Sequence, residues 1–122
     1  MRILVADDDP KMLAAVSAIL KAGGFEVAEA VDGVAALRAF RTQPADLVLC
    51  DVFMPNKDGL ETISELRSQS ATVKIVVMSG GGSVWTSGVV ATARQLGASA
   101  VLHKPFKGSE LLRVVREALG GA

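Results

Sequence analysis

Residues 47–59 read LVLCDVFMPNKDG. Leu47, Val48, Leu49 and Cys50 form an unbroken apolar run that ends on Asp51, after which Pro55 and the Asp58-Gly59 pair turn the chain. A short apolar run bounded by turn residues reads as a strand covered on both faces, the habit of parallel sheets. A carboxylate at its end is costly to desolvate unless something is paired with it. The partners must come from elsewhere in the chain.

The pattern of that stretch recurs. Strands are predicted at Ile3–Ala6, Phe25–Val31, Leu47–Cys50, Lys74–Met78 and Ala100–Leu102. Within Phe25–Val31, Glu26 and Glu29 fall on opposite faces, which suits a sheet edge. Helical patterns lie between the strands. Asp9-Pro10 has the chemistry of an N-cap and first helical residue. Leu13, Val16, Ile19 and Leu20 then make one apolar stripe, closed by Gly23-Gly24. Asp32-Gly33 opens a second helix with Val34, Leu37 and Phe40 inward, and Pro44 stops it. Asp58 caps a third, with Leu60, Ile63 and Leu66 on one face. A fourth runs from about Trp85 to Leu96 and stops at Gly97. The fifth carries Leu111, Leu112, Val115 and Leu119 at helical spacing. Five βα units with short connections predict an α/β fold, an open doubly wound parallel sheet.

The 122 residues are the length of one domain, and residues 1–122 read as a single one. Half the chain is hydrophobic and 21% is charged, which sets it apart from disordered sequences. Thirteen basic side chains offset thirteen acidic ones. No net basic field recommends nucleic acid as a partner, although a balanced total still permits local clusters. Cys50 is the only cysteine. One thiol cannot form an internal disulfide, which fits a reducing, cytoplasmic setting, and its apolar strand makes it a small buried hydrophobe. The N-terminal MRILVADDD loses its apolar run at three aspartates and is no signal peptide. No stretch approaches the ~20 apolar residues that a membrane span needs.

Sites in open α/β sheets form outside the C-terminal ends of the strands. Asp7, Asp8 and Asp9 follow the first strand, Asp51 ends the third, Ser79 the fourth and Lys104 the fifth. Clustered carboxylates repel one another, and a hard cation relieves the strain. An all-oxygen set from few residues suits Mg²⁺. A calcium-loop reading of MPNKDGLETISE fails because Met54 stands where the first acidic ligand belongs. With Asp7 and Asp8 on the metal, Asp51 is free to act as a nucleophile toward phosphorus. Ser79 and Lys104 then neutralise the oxygens of the transferred group.

Taken together, ILVADDDP, LVLCDVFMPNKDG, VVMSGGG and LHKPF resemble, in order and spacing, the receiver domain of two-component response regulators. The resemblance covers essentially the whole chain. It implies a flavodoxin-like strand order, 2-1-3-4-5, and a cis peptide bond before Pro105. It implies that Asp51 accepts a phosphoryl group from a phosphohistidine on a sensor kinase or a histidine phosphotransfer protein. Mg²⁺ is then held by Asp7, Asp8, Asp51 and the backbone carbonyl of Phe53, and Ser79 and Lys104 sense the phosphoryl group. The family uses the surface of its fourth helix, fifth strand and fifth helix for output or dimerisation. The expected role is a phosphoacceptor switch that assists its own phosphorylation, not a turnover enzyme, with no output domain in this chain.

Three features depart from the best-known chemotaxis receivers. Val101 stands at the aromatic switch position and cannot make the inward ring rotation. Phe53 and Gly81 replace polar residues that position a hydrolytic water. The loop after Ser79 is SGGGS; Gly80 and Gly81 suit either a connection that closes on a phosphoryl group or an ordinary turn. Asp9 reads as a cap, with a water-mediated metal role as the other reading. His103, the single histidine, reads as solvated or partner-facing. The fourth helix, with Trp85 and one charge, Arg94, either packs on the sheet or presents a partner surface. The first rival to the whole reading is a protein-binding module of the same fold that works without phosphorylation. A phosphohydrolase with an aspartyl-phosphate intermediate is the second, with Phe53 where such enzymes often carry a second acid, and a flavin-binding domain of similar topology, which lacks an evident phosphate loop, is the third.

Overall fold

The computed structural model describes residues 1–52, 59–80 and 84–120, and for residues 84–87 and 89 the backbone only. Strands and helices alternate: β1 (Arg2–Ala6), α1 (Pro10–Ala22), β2 (Glu26–Ala30), α2 (Gly33–Thr42), β3 (Leu47–Asp51), α3 (Gly59–Gln69), β4 (Lys74–Gly80), α4 (Val84–Gln95), β5 (Ala100–Lys104) and α5 (Gly108–Ala118). All strand pairings are parallel, in the order β2-β1-β3-β4-β5. The edge placement of β2 matches its two-sided acidity. The Lys104–Pro105 peptide is cis.

Strand alternation splits the core in two. Leu4, Val48, Cys50, Ile75 and Val77 pack against Leu37, Phe40, Ile63 and Leu66, under α2, α3 and α4. Ile3, Val5, Leu47, Leu49, Val76, Met78 and Leu102 pack against Leu13, Val16, Leu20, Leu111 and Val115, under α1 and α5. Each fully buried Leu or Ile stabilises by roughly 1.5–3 kcal/mol. Stability therefore rests on the two covered faces, and the rim of the sheet can hold polar groups.

Local chemistry sets the helix ends. Asp9 caps α1 by accepting from Lys11 N at 3.0 Å, with Pro10 as the first helical residue. Asp32 caps α2 through Ala35 N at 2.7 Å. Gly24 and Gly97 take positive φ after α1 and α4, a conformation that costs a glycine nothing sterically. Asp58, expected to cap α3, lies outside the described residues.

Two expectations need correction. Val34 points outward, 41% exposed, and the buried face of α2 is Gly33, Ala36, Leu37 and Phe40. Those four positions follow i, i+3, i+4 and i+7, and the small side chains at 33 and 36 gave a hydropathy reading nothing to see. The strands are also displaced at their ends. β3, β4 and β5 extend to Asp51, Gly80 and Lys104, because backbone pairing continues into the polar residues after the apolar run ends. Ser79 thus lies inside β4, and β2 is one residue shorter at each end.

Arg67 locks the opposite end of the sheet. Its Nη1 donates to the carbonyls of Ala71 and Val73 at 2.9 Å each, and its Nη2 to that of Gly97 at 3.0 Å. One half-buried guanidinium thus ties α3 to the entries of β4 and β5. Hydrogen bonds from a charged donor contribute about 1.5–3 kcal/mol each, less where water competes. Arg67→Met is expected to lower the unfolding free energy by roughly 2–4 kcal/mol, measured by urea denaturation. A loss below the error of the measurement would show that the clasp does not hold these elements.

Candidate functional site

The C-terminal rim of the sheet gathers Asp7, Asp8, Asp51, Ser79 and Lys104. Parity explains part of the gathering. Asp51 and Lys104 share the parity of Leu47, Leu49 and Leu102, and Asp7 that of Ile3 and Val5, so all three fall toward the α1–α5 side. Lys104 reaches past the end of β4 toward Asp51. A Cβ built on Gly80, its register partner, would stand 4.0 Å from Lys104 Cδ. That is an ordinary van der Waals distance, so the lysine stem passes β4 without obstruction.

Lys104 Nζ donates to Asp7 Oδ2 at 2.9 Å and to Asp51 Oδ2 at 3.1 Å. Asp7 is fully buried, and its Oδ1 also accepts from Asp9 N at 2.9 Å. Asp51 is 7% exposed, so its carboxylate meets solvent at the rim. Asp8 is exposed. Removing one partner of a buried ion pair is strongly destabilising, by about 3–5 kcal/mol, which makes Lys104 the structural counter-ion of two acids. Burial is the largest influence on its ammonium and lowers the pKa. The hydrogen bond to Asp7, the charge of Asp51 and the remaining interactions with both carboxylates outweigh it, so the pKa stands above the ordinary 10.5.

Carboxylate oxygens of Asp7, Asp8 and Asp51 all lie within 4.8 Å of one another. Among the described residues, three carboxylates face one ammonium there. That donor set of hard oxygens, one carboxylate exposed and two reached by a cation already, fits Mg²⁺. A further observation points the same way. Ser79 is fully buried and its Oγ has no hydrogen-bond partner among the described residues, whereas buried hydroxyls in folded proteins are normally satisfied. An unsatisfied hydroxyl on the strand between Asp51 and Lys104 suits an oxygen-rich group brought by a ligand.

The remaining expected residues divide. Val101 is half-buried and packs against the core on the α4 side. Gly80 is exposed at the end of β4, and His103 is exposed beside it in register with Ser79. Phe53 and Gly81 lie outside the described residues, as does the side chain of Trp85.

Gly59 was missed as a site residue. It starts α3, is buried, and donates its N–H to Val52 O at 2.9 Å. A Cβ at Gly59 would fall 2.4 Å from the Asp51 carbonyl oxygen and 2.6 Å from Val52 Cα. The helix therefore presses directly on the backbone that holds the Asp51 carboxylate. The Asp-Gly pair gave a turn signal, but a close approach of this kind has no signature in one sequence.

Two outcomes follow from this geometry. Gly59→Ala is expected to destabilise the fold by about 1–3 kcal/mol, measured by urea denaturation, with no effect sinking the proposed close contact. Lys104 holds its proton more tightly when folded, so its stabilisation is fully present below pH 10.5 and is lost as pH rises through the higher folded-state value. Without divalent cations, the stability gap between the parent and Lys104→Gln should stay constant from neutral pH upward and close only above that range. A gap that closes near neutrality would contradict the raised pKa.

Comparison with known proteins identifies the family. A family model described as the response regulator receiver domain matches residues 3–116. The transcriptional regulatory protein PrrA of Mycobacterium tuberculosis is 37% identical over 118 residues, covering 97% of this chain and 49% of that protein. The chemotaxis protein CheY of Bacillus subtilis is 34% identical over 119 residues, 97% of each. The crystal structure of the receiver domain of NtrX from Brucella abortus is similar with a TM-score of 0.91 at 31% identity, over 98% of this chain and 99% of that one. The chain spans about half the length of PrrA and nearly all of CheY. The family match over residues 3–116, on a doubly wound flavodoxin-like sheet of order 2-1-3-4-5, places this chain in the response regulator receiver domain family.

Proposed function

We propose that the chain is a phosphorylation-controlled switch in which Asp51 is the phosphoacceptor. The observation that carries the reading is the placement of Lys104 Nζ between Asp7 and Asp51, with Asp8 in reach and the Ser79 hydroxyl unsatisfied. An oxygen of Asp51 attacks the phosphorus of a phosphohistidine on a sensor kinase or a histidine phosphotransfer protein. An O–P bond forms, the N–P bond breaks, and its electron pair leaves with the imidazole nitrogen. Lys104 supplies positive charge next to the acceptor oxygen, and Ser79 Oγ donates to an oxygen of the new acyl phosphate. Asp7, Asp8 and Asp51, with the Phe53 carbonyl that the family resemblance implies, would hold Mg²⁺, which neutralises charge on phosphoryl oxygens when bound.

The acyl phosphate adds charge and acceptor oxygens at the rim. Drawing Ser79 toward it moves the end of β4 and biases a two-state arrangement of the adjoining loop and α4. The altered surface of α4, β5 and α5, including Gly80, Gly81, Trp85 and Val101, is read by a downstream protein or a second copy. The protein assists its own phosphorylation and hydrolysis but does not turn over an external substrate. It works in the cytoplasm; among the described residues, no helix is long and apolar enough to cross a membrane.

Incubation with a small acyl-phosphate donor and Mg²⁺ is expected to add one phosphoryl group at Asp51, located by peptide mass spectrometry. Chelation or Asp51→Asn should abolish the gain. Asp8→Asn should raise the Mg²⁺ requirement at least tenfold, a change of about 1.4 kcal/mol. If neither this donor nor a phosphorylated kinase modifies Asp51, the protein is instead a binding module that ignores phosphate.

A further inference from the structure

Besides the Ser79 hydroxyl, a second buried polar atom has no hydrogen-bond partner among the described residues: Arg2 Nε. Arg2 opens β1 and shares the parity of Leu4 and Ala6, so its side chain lies on the α2 face of the sheet. Its Nη1 donates to Glu26 Oε1 at 2.9 Å, and Glu26 is its register partner on the edge strand β2. Asp46 accepts from the Arg2 backbone amide at 2.8 Å and not from the guanidinium. The edge made by Nε and Nη2 is therefore unused, although such an edge can grip both oxygens of a carboxylate at once. Arg2 borders a cleft of about 360 Å³ with Ala35, Arg38, Ala39, Thr42 and Gln43, along α2 and its C-terminal end. Among the described residues, two guanidiniums and no carboxylate line it.

We propose that this cleft binds a small monocarboxylate with a compact, flat apolar body. The site is separate from the Asp51 rim and does not rest on the phosphoacceptor reading. The carboxylate head takes the Nε–Nη2 edge of Arg2. The guanidinium is held by Glu26, whose side chain is 65% exposed, and a surface pair of that kind is weak. A turn about the Cδ–Nε bond then presents the free edge to the cleft. The turn exchanges an unsatisfied buried donor, which is a costly state, for a charge-assisted pair. Ala35 and Ala39 stand one helical turn apart and half-buried, an apolar floor without bulk. Arg38 is exposed and has no carboxylate partner among the described residues, and its planar guanidinium stacks on a flat body. The Thr42 hydroxyl donates to Arg38 O at 3.0 Å, so it offers the ligand no proton. Inorganic phosphate would leave the alanines uncovered, and an uncharged aromatic would leave Nε unsatisfied.

The probe is benzoate, titrated into the isotope-labelled full chain and followed by amide NMR. Saturable shifts are expected at the lining residues, with a melting temperature that rises as benzoate is added. Arg2→Lys keeps the charge but has no fork, and should weaken binding at least tenfold. Arg38→Gln should weaken it severalfold, and Ala39→Leu, which fills the floor, likewise. Glu26→Gln releases the guanidinium and should bind benzoate at least as tightly as the parent. A response that never saturates, equal binding by Arg2→Lys, or weaker binding by Glu26→Gln would overturn the proposal. So would benzyl alcohol or inorganic phosphate binding the same residues as tightly as benzoate. Circular dichroism verifies the fold of each variant. Where Arg2→Lys fails to fold, parent-like affinity in both Arg38→Gln and Ala39→Leu overturns the site instead.

Discussion

The structure depends on one ammonium group held between two carboxylates. Lys104 closes β5, Asp51 closes β3 and Asp7 follows β1, so the contact fixes the relation of strands that are far apart in sequence. Neighbouring strands stand about 4.8 Å apart, and Lys104 must span β4 to reach Asp51. It does so past Gly80, its register partner. The strand order and the parity of the three residues set Nζ against both acids.

That ion pair also explains how the rim tolerates its acids. A buried carboxylate without a partner is expensive, yet Asp7 is fully buried and Asp51 nearly so. Lys104 and the Asp9 amide satisfy Asp7. Among the described residues of the rim, the Ser79 hydroxyl is left unsatisfied, at a cost of about 1–3 kcal/mol, and the packed faces of the sheet offset it. That unpaired hydroxyl lies on the strand between the Asp51 carboxylate and the Lys104 ammonium, where an oxygen brought by a ligand would satisfy it.

Much of this was legible in the sequence, for physical reasons that can be named. Apolar runs such as Leu47–Cys50 announced strands because both faces of a parallel sheet are covered. The aspartates, Ser79 and Lys104 could be placed on one rim because parallel strands all point the same way. Asp9 and Asp32 declared their helix starts through capping chemistry. What stayed hidden depended on residues without hydropathy or on approach distances. Gly33 and Ala36 form the buried face of α2 although Val34 looked the better candidate. Gly59 is forced by the proximity of the Asp51 backbone, which no spacing rule encodes. Arg67 read as an ordinary surface charge at a helix end, and only the fold brings Gly97 to it.

β5 joins the rim to the surface between α4 and α5. At one end Lys104 holds two carboxylates of the rim. Three residues earlier, Val101 lies in the cleft between α4 and α5. A side chain alternates faces along a strand, so 101 and 104 point to opposite sides, and Val101 packs with the core beneath α4. A valine cannot swing as an aromatic ring does, because branching at Cβ leaves it few rotamers. A signal of the kind proposed would therefore have to shift the backbone of β5 rather than flip a side chain between pockets.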